Sequence, residues 1–223
     1  MYENPNDEPI LVAVRNYLED AERKLHLRDF EGAFASVERA LKTARDQENT
    51  PSLAAAYYGK AAVIWGSGGS SEEAHRYASL AAQHSRPDSE TDLMIRTLIA
   101  RIKAARQNFD AAIVINEDLL NYYKRENRLD GQANVLRSLG DIHRAKGEYE
   151  RARERYLLGL AIFSFLEDPL NHAGLLLSLG SLMYETQDFD QAKRYWLEAR
   201  SIAEGSGFRD IVDKVDTAIK ELL

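Results

Sequence analysis

A four-residue phrase, an aromatic followed by two further residues and an alanine, returns along this chain at a nearly constant interval. It reads Phe30-Glu31-Gly32-Ala33, Phe109-Asp110-Ala111-Ala112, Tyr149-Glu150-Arg151-Ala152 and Phe189-Asp190-Gln191-Ala192, with a degenerate copy at Ser71-Glu72-Glu73-Ala74. Steps between the alanines are 41, 38, 40 and 40 residues. A period of this size predicts a helical solenoid, because one helix pair cannot bury its apolar face alone and must stack on neighbours.

The last two copies show the unit most plainly. Leu136, Leu139, Gly140 and His143 align with Leu176, Leu179, Gly180 and Met183, then Tyr156 with Trp196 and Ile162 with Ile202. Apolar spacings of three and four are helical, so each unit reads as two antiparallel helices, with turns near Lys146-Gly147-Glu148 and Gln187-Asp188. Glycine inside a helix costs about 1 kcal/mol against alanine. Gly140 and Gly180 are therefore expected to seat a large side chain of the partner helix, Tyr156 and Trp196 being the natural candidates. Ala21, Ala62 and Ala100 hold the equivalent small place earlier in the chain.

Boundary residues set the expected helices. Thr50-Pro51 and Asp168-Pro169 read as N-caps followed by a first-turn proline, and Ser70 with Glu73 as a capping box. Helices are predicted at 9–27 and 30–47, 51–66 and 71–85, 89–106 and 109–125, 130–146 and 149–166, then 170–186 and 189–204. A final helix over about 208–222 places Phe208, Ile211, Val212, Val215, Ile219 and Leu222 on one stripe, as an end cap requires. Residues 1–8 are expected to be a disordered tail, and 9–223 a single solenoid domain of five pairs, about 9–47, 51–85, 89–125, 130–166 and 170–204, with the cap at 208–223.

With these residues in view the chain resembles the tetratricopeptide repeats. Leu136, Leu139-Gly140, Gly147-Glu148-Tyr149, Ala152 and Tyr156 match that motif, and Leu176, Leu179-Gly180, Asp188-Phe189, Ala192 and Trp196 match it comparably. The likeness runs from about residue 10 to 223 and is weakest in the second copy, where Ser71 replaces the turn aromatic after a loose Gly66-Ser67-Gly68-Gly69-Ser70 linker. Its period near 40 resembles the long-repeat subgroup of kinesin light chains and bacterial peptide-sensing regulators. The resemblance implies an all-α right-handed superhelix whose first helices line a concave groove for partner segments.

Chemistry other than binding has little to stand on. The five histidines, His26, His75, His84, His143 and His172, include no i, i+4 pair of a helical zinc site, and His143 occupies an aromatic position of the repeat. Acidic neighbours such as Glu72-Glu73 point about 100° apart on a helix and cannot share a reacting centre. The glycines at 66, 68 and 69 lack the Gly-Lys-Ser/Thr ending of a phosphate loop. There is no cysteine, hence no disulfide, thiolate metal site or cysteine nucleophile. No cofactor, metal or catalytic residue is expected, and the chain is read as no enzyme.

A net charge of −7 argues against wrapping nucleic acid. An acidic N-terminus unlike a signal peptide, and no apolar run near the roughly 20 residues of a membrane span, predict a cytoplasmic protein that does not insert in membranes.

Carried over by position, the groove would receive Arg15, Leu18 and Glu22, then Ala56, Gly59 and Val63, then Met94, Thr97, Arg101 and Ala104. The fourth pair adds Asn134, Arg137, Asp141 and Arg144, and the fifth Leu177, Ser181, Tyr184 and Glu185. Arg101, Asn134, Arg137 and Arg144 would put three guanidiniums and an amide in mid-groove, suited to an acidic protein or peptide. Residues 124–156 carry nine Lys/Arg against six Asp/Glu, +3 within a −7 chain. The bland reading is a solvated face with ion pairs such as Arg137 with Asp141. A co-chaperone clamp is not expected, since Leu18, Glu22, Lys60, Met94 and Leu98 stand where its cations and amides would be, and only Lys60 fits.

The leucine-rich fifth pair is expected to lie partly under the terminal helix, the alternative being an apolar groove floor from Leu177 and Tyr184. The function expected is an adaptor or scaffold holding a partner's peptide or helix. Alternatives are a regulatory peptide sensor that changes curvature on binding, and self-assembly into a homo-oligomer. Charge reversal at Arg137 or Arg144 is expected to weaken an acidic partner without lowering thermal stability.

Overall fold

The computed structural model describes residues 10–220. Among them are eleven helices and no strand: α1 (Val12–His26), α2 (Phe30–Asp46), α3 (Thr50–Gly66), α4 (Ser71–His84), α5 (Glu90–Ala105), α6 (Phe109–Arg125), α7 (Leu129–Ala145), α8 (Tyr149–Phe165), α9 (Pro169–Glu185), α10 (Phe189–Ser206) and α11 (Arg209–Lys220). The fold is an α-solenoid of helix pairs with a terminal helix, as the period requires. The expected tail at 1–8, and Leu222 at the end of the cap stripe, lie outside the described residues.

What stops and restarts the helices is a turn built the same way nearly every time. Residues in the left-handed region occur at Arg28, Glu48, Gly68, Asp88, Gln107, Asn127, Gly147, Glu167, Gln187 and Gly207, 20 residues apart except for one step of 19. At nine of these, the left-handed N–H donates three residues back and the next N–H five back, as Arg28 to Leu25 and Asp29 to Lys24, or Gln187 to Tyr184 and Asp188 to Met183. These two bonds satisfy carbonyls the helix end would leave open. The following residue commonly caps the next helix: Asp29 accepts from Gly32 N–H, Asp168 from Asn171 N–H and Asp188 from Gln191 N–H, at 2.9–3.1 Å. So stop and start share two adjacent residues, within a pair and between pairs alike.

Two boundaries differ from the sequence expectation. The cap of α3 is Asn49, whose Oδ1 accepts from Ser52 N–H at 2.9 Å; Thr50 is the first helical residue and Pro51 the second. Gly66, read from the sequence both as the end of the helix over 51–66 and as the start of a loose linker, closes α3. The departure from the common turn comes instead after α4, where Ser85 is extended and Ser89 caps α5. Pro87 sits there, and a proline has no N–H to give the turn.

The recurring phrase acquires a structural meaning. Its aromatic, or Ser71 in the degenerate copy, is the first residue of the second helix in each pair, and its alanine the fourth. The N–H groups of Ala33, Ala74, Ala112, Ala152 and Ala192 donate to the carbonyls of the capping residues at 2.9–3.1 Å. All five alanines are completely buried, whereas Phe30, Tyr149 and Phe189 remain partly exposed. The alanine is the constrained member, because interiors are close-packed and a longer side chain there has nowhere to go.

The chain divides into two compact units, Met1–Ile115 and Asn116–Leu223. In the first, Val14, Val37, Leu41, Ala56 and Val63 form one core cluster, and Ala61, Ile64, Ala78, Leu98 and Ile102 another. In the second, Tyr156, Phe163, Leu175, Leu176, Leu179 and Trp196 are joined by Ile211 and Val215 of the terminal helix. That helix packs on α10 and α9, which is where the leucine-rich fifth pair needed cover. Gly140 lies against the Tyr156 ring and Gly180 against the Trp196 indole, as their spacing predicts.

Candidate partner-binding surfaces

Within the first unit, the first helices α1, α3 and α5 lie side by side. The register of α1 on α3 comes from two leucines meeting two glycines. A Cβ on Gly59 would stand 2.5 Å from Leu18 Cδ2, and one on Gly66 2.8 Å from Leu25 Cδ2. Both members of each pair are seven residues apart, about two helical turns, so two bare patches of α3 receive two side chains of α1 on the same stripe.

Beside this contact is a cavity of about 320 Å³, lined by Leu18, Leu25, Tyr58, Gly59, Ala62, Val63 and Met94, with Arg15, Glu19, Glu22 and His26 also at its wall. Tyr58 is half-buried. Burial pushes its phenol up, Glu22 adds to that, and Arg101 opposes it. A second cavity of about 130 Å³ shares Ile10, Arg15 and Thr91 with the first and is otherwise lined by Pro51, Ala54, His84, Ser85, Arg86, Ser89 and Glu90. Six of the expected groove residues, Arg15, Leu18, Glu22, Gly59, Val63 and Met94, are thus brought together here. Ala56, however, is fully buried and Val63 is 2% exposed, so α3 presents mostly Tyr58, Gly59 and Ala62 rather than those two. Arg101 is exposed on α5 of this unit.

In the second unit, Asn134, Arg137, Asp141 and Arg144 form one stripe of α7, and each is engaged. Arg137 donates to Asn134 Oδ1 at 3.1 Å and, across to α9, to Asn171 Oδ1 at 3.0 Å. Asn171 in turn donates to Asp168, the α9 cap, at 2.7 Å. Asp141 accepts from the buried Tyr156 hydroxyl at 2.6 Å; burial first, then that carboxylate, push the phenol far above its ordinary range. Arg144 clasps Glu185 of α9 with Nε at 3.0 and 3.1 Å and Nη2 at 2.6 Å. Guanidinium forks of this kind hold a carboxylate in fixed geometry. The arginines expected to await an acidic ligand are thus already tying α7 to α9.

Leu177 and Tyr184 are half-buried against the core of this unit. The Leu177 carbonyl accepts from Trp196 Nε1 at 3.3 Å, and the Tyr184 ring lies 5.8 Å from Trp196 and 5.6 Å from Phe189. They serve packing first and offer only their outer edges.

His143 is buried in the aromatic position of the repeat, with Nδ1 2.7 Å from Glu148 Oε2. Glu148 also meets Lys146 at 3.2 Å and Arg151 at 3.3 Å. Hydrogen bonding to His143, then to Lys146, lowers its carboxyl to about 2. Lys60, the one residue compatible with a carboxylate clamp, pairs with Glu38 and lies 4.4 Å from the Tyr77 ring centre. Among the described residues no three His, Asp or Glu gather as a metal ion would need. Among the same residues no helix is long and apolar enough to cross a membrane.

No protein-family model matches this chain, and no curated protein sequence matches it. Solved structures do. BtubC from P. vanneervenii superimposes with a TM-score of 0.70 at 19% identity, over 87% of this chain and 90% of that one. The nearly identical TPR-like repeats of a putative kinesin light chain from Podosopora anserina give 0.69 at 16%, over 89% and 99%. A Rap protein complexed with Competence and Sporulation Factor gives 0.80 at 15%, over 94% of this chain and 59% of that protein. At such identities the likeness is one of fold, and the fold is tetratricopeptide-like.

Proposed function

We propose that this tetratricopeptide-like chain is a non-enzymatic adaptor that holds a segment of a partner protein against the exposed faces of its first helices. The observation that carries the reading is the cavity of about 320 Å³ bordered by α1, α3 and α5. An apolar hollow among packed helices, ringed by a few charged groups, is the usual form of a recognition site. Its walls are held by helix packing, so little conformational entropy is lost on the adaptor's side when a segment enters. Fold likeness to a Rap protein solved with a bound factor supports a binding role.

On α7 and α9, Asn134, Arg137, Asp141, Arg144, Leu177 and Tyr184 make a more polar surface, and Arg101 stands on α5. An acidic partner reaching α7 competes with Glu185 for Arg144 and with Asn171 for Arg137, so these arginines act as secondary contacts.

A photo-crosslinking amino acid placed at Met94, on the first-helix face, tests the proposal against one at Lys42, exposed on α2. Crosslinks from position 94 and none from position 42, with the adduct identified by mass spectrometry, are the expected result. Equal labelling from both positions, or none from position 94 in cells where the chain is active, overturns it.

A further inference from the structure

The two cavities of the first unit differ in sign. The smaller has two guanidiniums, Arg15 and Arg86, against one carboxylate, Glu90, with His84 beside them. The larger has two carboxylates, Glu19 and Glu22, against one guanidinium, Arg15, with His26 at its wall. Arg101 of α5 also acts on Tyr58 of this cavity. Arg15 belongs to both, so it marks their junction. Further along the same helix come Glu19 and Glu22, with Leu18 between Arg15 and these carboxylates and Leu25 beyond them. Polarity therefore runs in one direction over an apolar floor.

From this order we infer that the partner segment carries an acidic residue, then two bulky apolar residues, then a basic residue, read along α1 from Arg15 to Glu22. The inference rests on the adaptor reading and adds the ligand's chemistry to it. Apolar side chains enter the larger cavity, whose floor is Leu18, Tyr58, Gly59, Ala62 and Met94. The acid faces Arg15 at the junction, and the base faces Glu19 and Glu22. Spacing fits the same pattern. Residues 15 and 22 lie about 10 Å apart along the helix at 1.5 Å per residue, which about three steps of extended chain span. A segment with charges of one sign at both ends would leave one end against a like charge, and such juxtapositions are what exclude wrong partners.

Four fluorescent peptides with inert glycine–serine flanks test this by anisotropy on the full chain at low salt. Their central residues are aspartate–leucine–leucine–lysine, aspartate at both ends, lysine at both ends, and serine at both ends. The mixed peptide is expected to bind about fivefold tighter than either like-charged one, the scale of a rim charge pair. Arg15→Gln should cancel its advantage over the lysine-ended peptide. Glu19→Gln with Glu22→Gln should cancel its advantage over the aspartate-ended one. Equal binding of all four, abolished by the cavity-filling Met94→Trp, overturns the charge order while leaving the adaptor reading in place. Preference for a like-charged peptide overturns it too. No binding by the unaltered chain removes the cavity as a peptide seat, and the crosslinking at position 94 then decides the adaptor reading separately.

Discussion

The backbone of Gly180 lies so close to the indole of Trp196 that a Cβ built there would overlap its Cδ1 and Nε1 atoms. Trp196 is 3% exposed, and its Nε1 donates to the Leu177 carbonyl on the same helix as Gly180. The ring is thus held at both edge and face, and a methyl group has no room to push it aside.

Gly174 provides the internal control. It is on the same helix, α9, with nothing within 4 Å of the equivalent Cβ. Gly174→Ala is expected to stabilise by up to about 1 kcal/mol through helix propensity. Gly180→Ala, with the same propensity gain, is expected to destabilise by about 1–3 kcal/mol through overpacking. Urea unfolding of both variants checks this; the same sign of change in both refutes the packing account.

Glu167 occupies a left-handed turn at φ 52°, where Gly147 and Gly207 occupy the equivalent turns at 76° and 79°. A side chain in that region costs about 1–2 kcal/mol, partly offset by glycine's larger entropy loss on folding. Glu167→Gly should therefore gain about 0.5 kcal/mol and Gly147→Ala lose about 1 kcal/mol. Thermal melts of the two variants would show opposite shifts.

Arg144 and Glu185 are each about one-third exposed, 31% and 35% for their side chains. The pair is consequently worth about 1 kcal/mol at most. Arg144→Glu should lower the melting temperature by about 2–4 °C for a chain of this size, contrary to the expectation that reversal leaves stability untouched. Combining it with Glu185→Arg should recover most of the loss. A double variant no better than the single one shows that the fork contributes nothing.

Acid should loosen the molecule through two carboxylates. Glu148 is held at about 2, against 4.5 ordinarily, by His143 and then Lys146. Asp20 is lowered from 3.8 by Lys24 first and then by Ser36. A depressed folded-state value means that the unfolded chain binds protons first. The contribution is therefore complete above about pH 5 and is lost as pH falls from 4.5 towards 2. Urea midpoints should be level from pH 7 to 5 and decline below. Glu148→Gln should lower the midpoint at pH 7 and flatten that decline; an unchanged slope would show that the His143 contact is energetically silent.

Much of the fold was legible because helices announce themselves locally. The fourth-residue alanines, the caps at Asp168 and Ser70, and the seats for Tyr156 and Trp196 follow from residue type and spacing. The predicted helices already step by about 20 residues, but the left-handed residue that makes each turn was not legible. These positions are filled by arginine, glutamate, glutamine, asparagine, aspartate and glycine, with no shared chemistry to reveal them. Gly66 carries two readings, the end of the helix over 51–66 and the start of a loose linker; the structure makes it the helix end, bare against Leu25.

By itself the sequence determined the period, the helices and the small residues at which they touch, since these depend on neighbours a few positions away. Only the tertiary structure decided what the surface offers. It buried Ala56 and Val63, committed Arg137 to Asn171 and Arg144 to Glu185, and opened an apolar hollow among α1, α3 and α5. Those partners stand 34 and 41 residues apart in the chain. Whether a guanidinium meets a carboxylate or water is set by where packing brings two helices together, which no local spacing encodes.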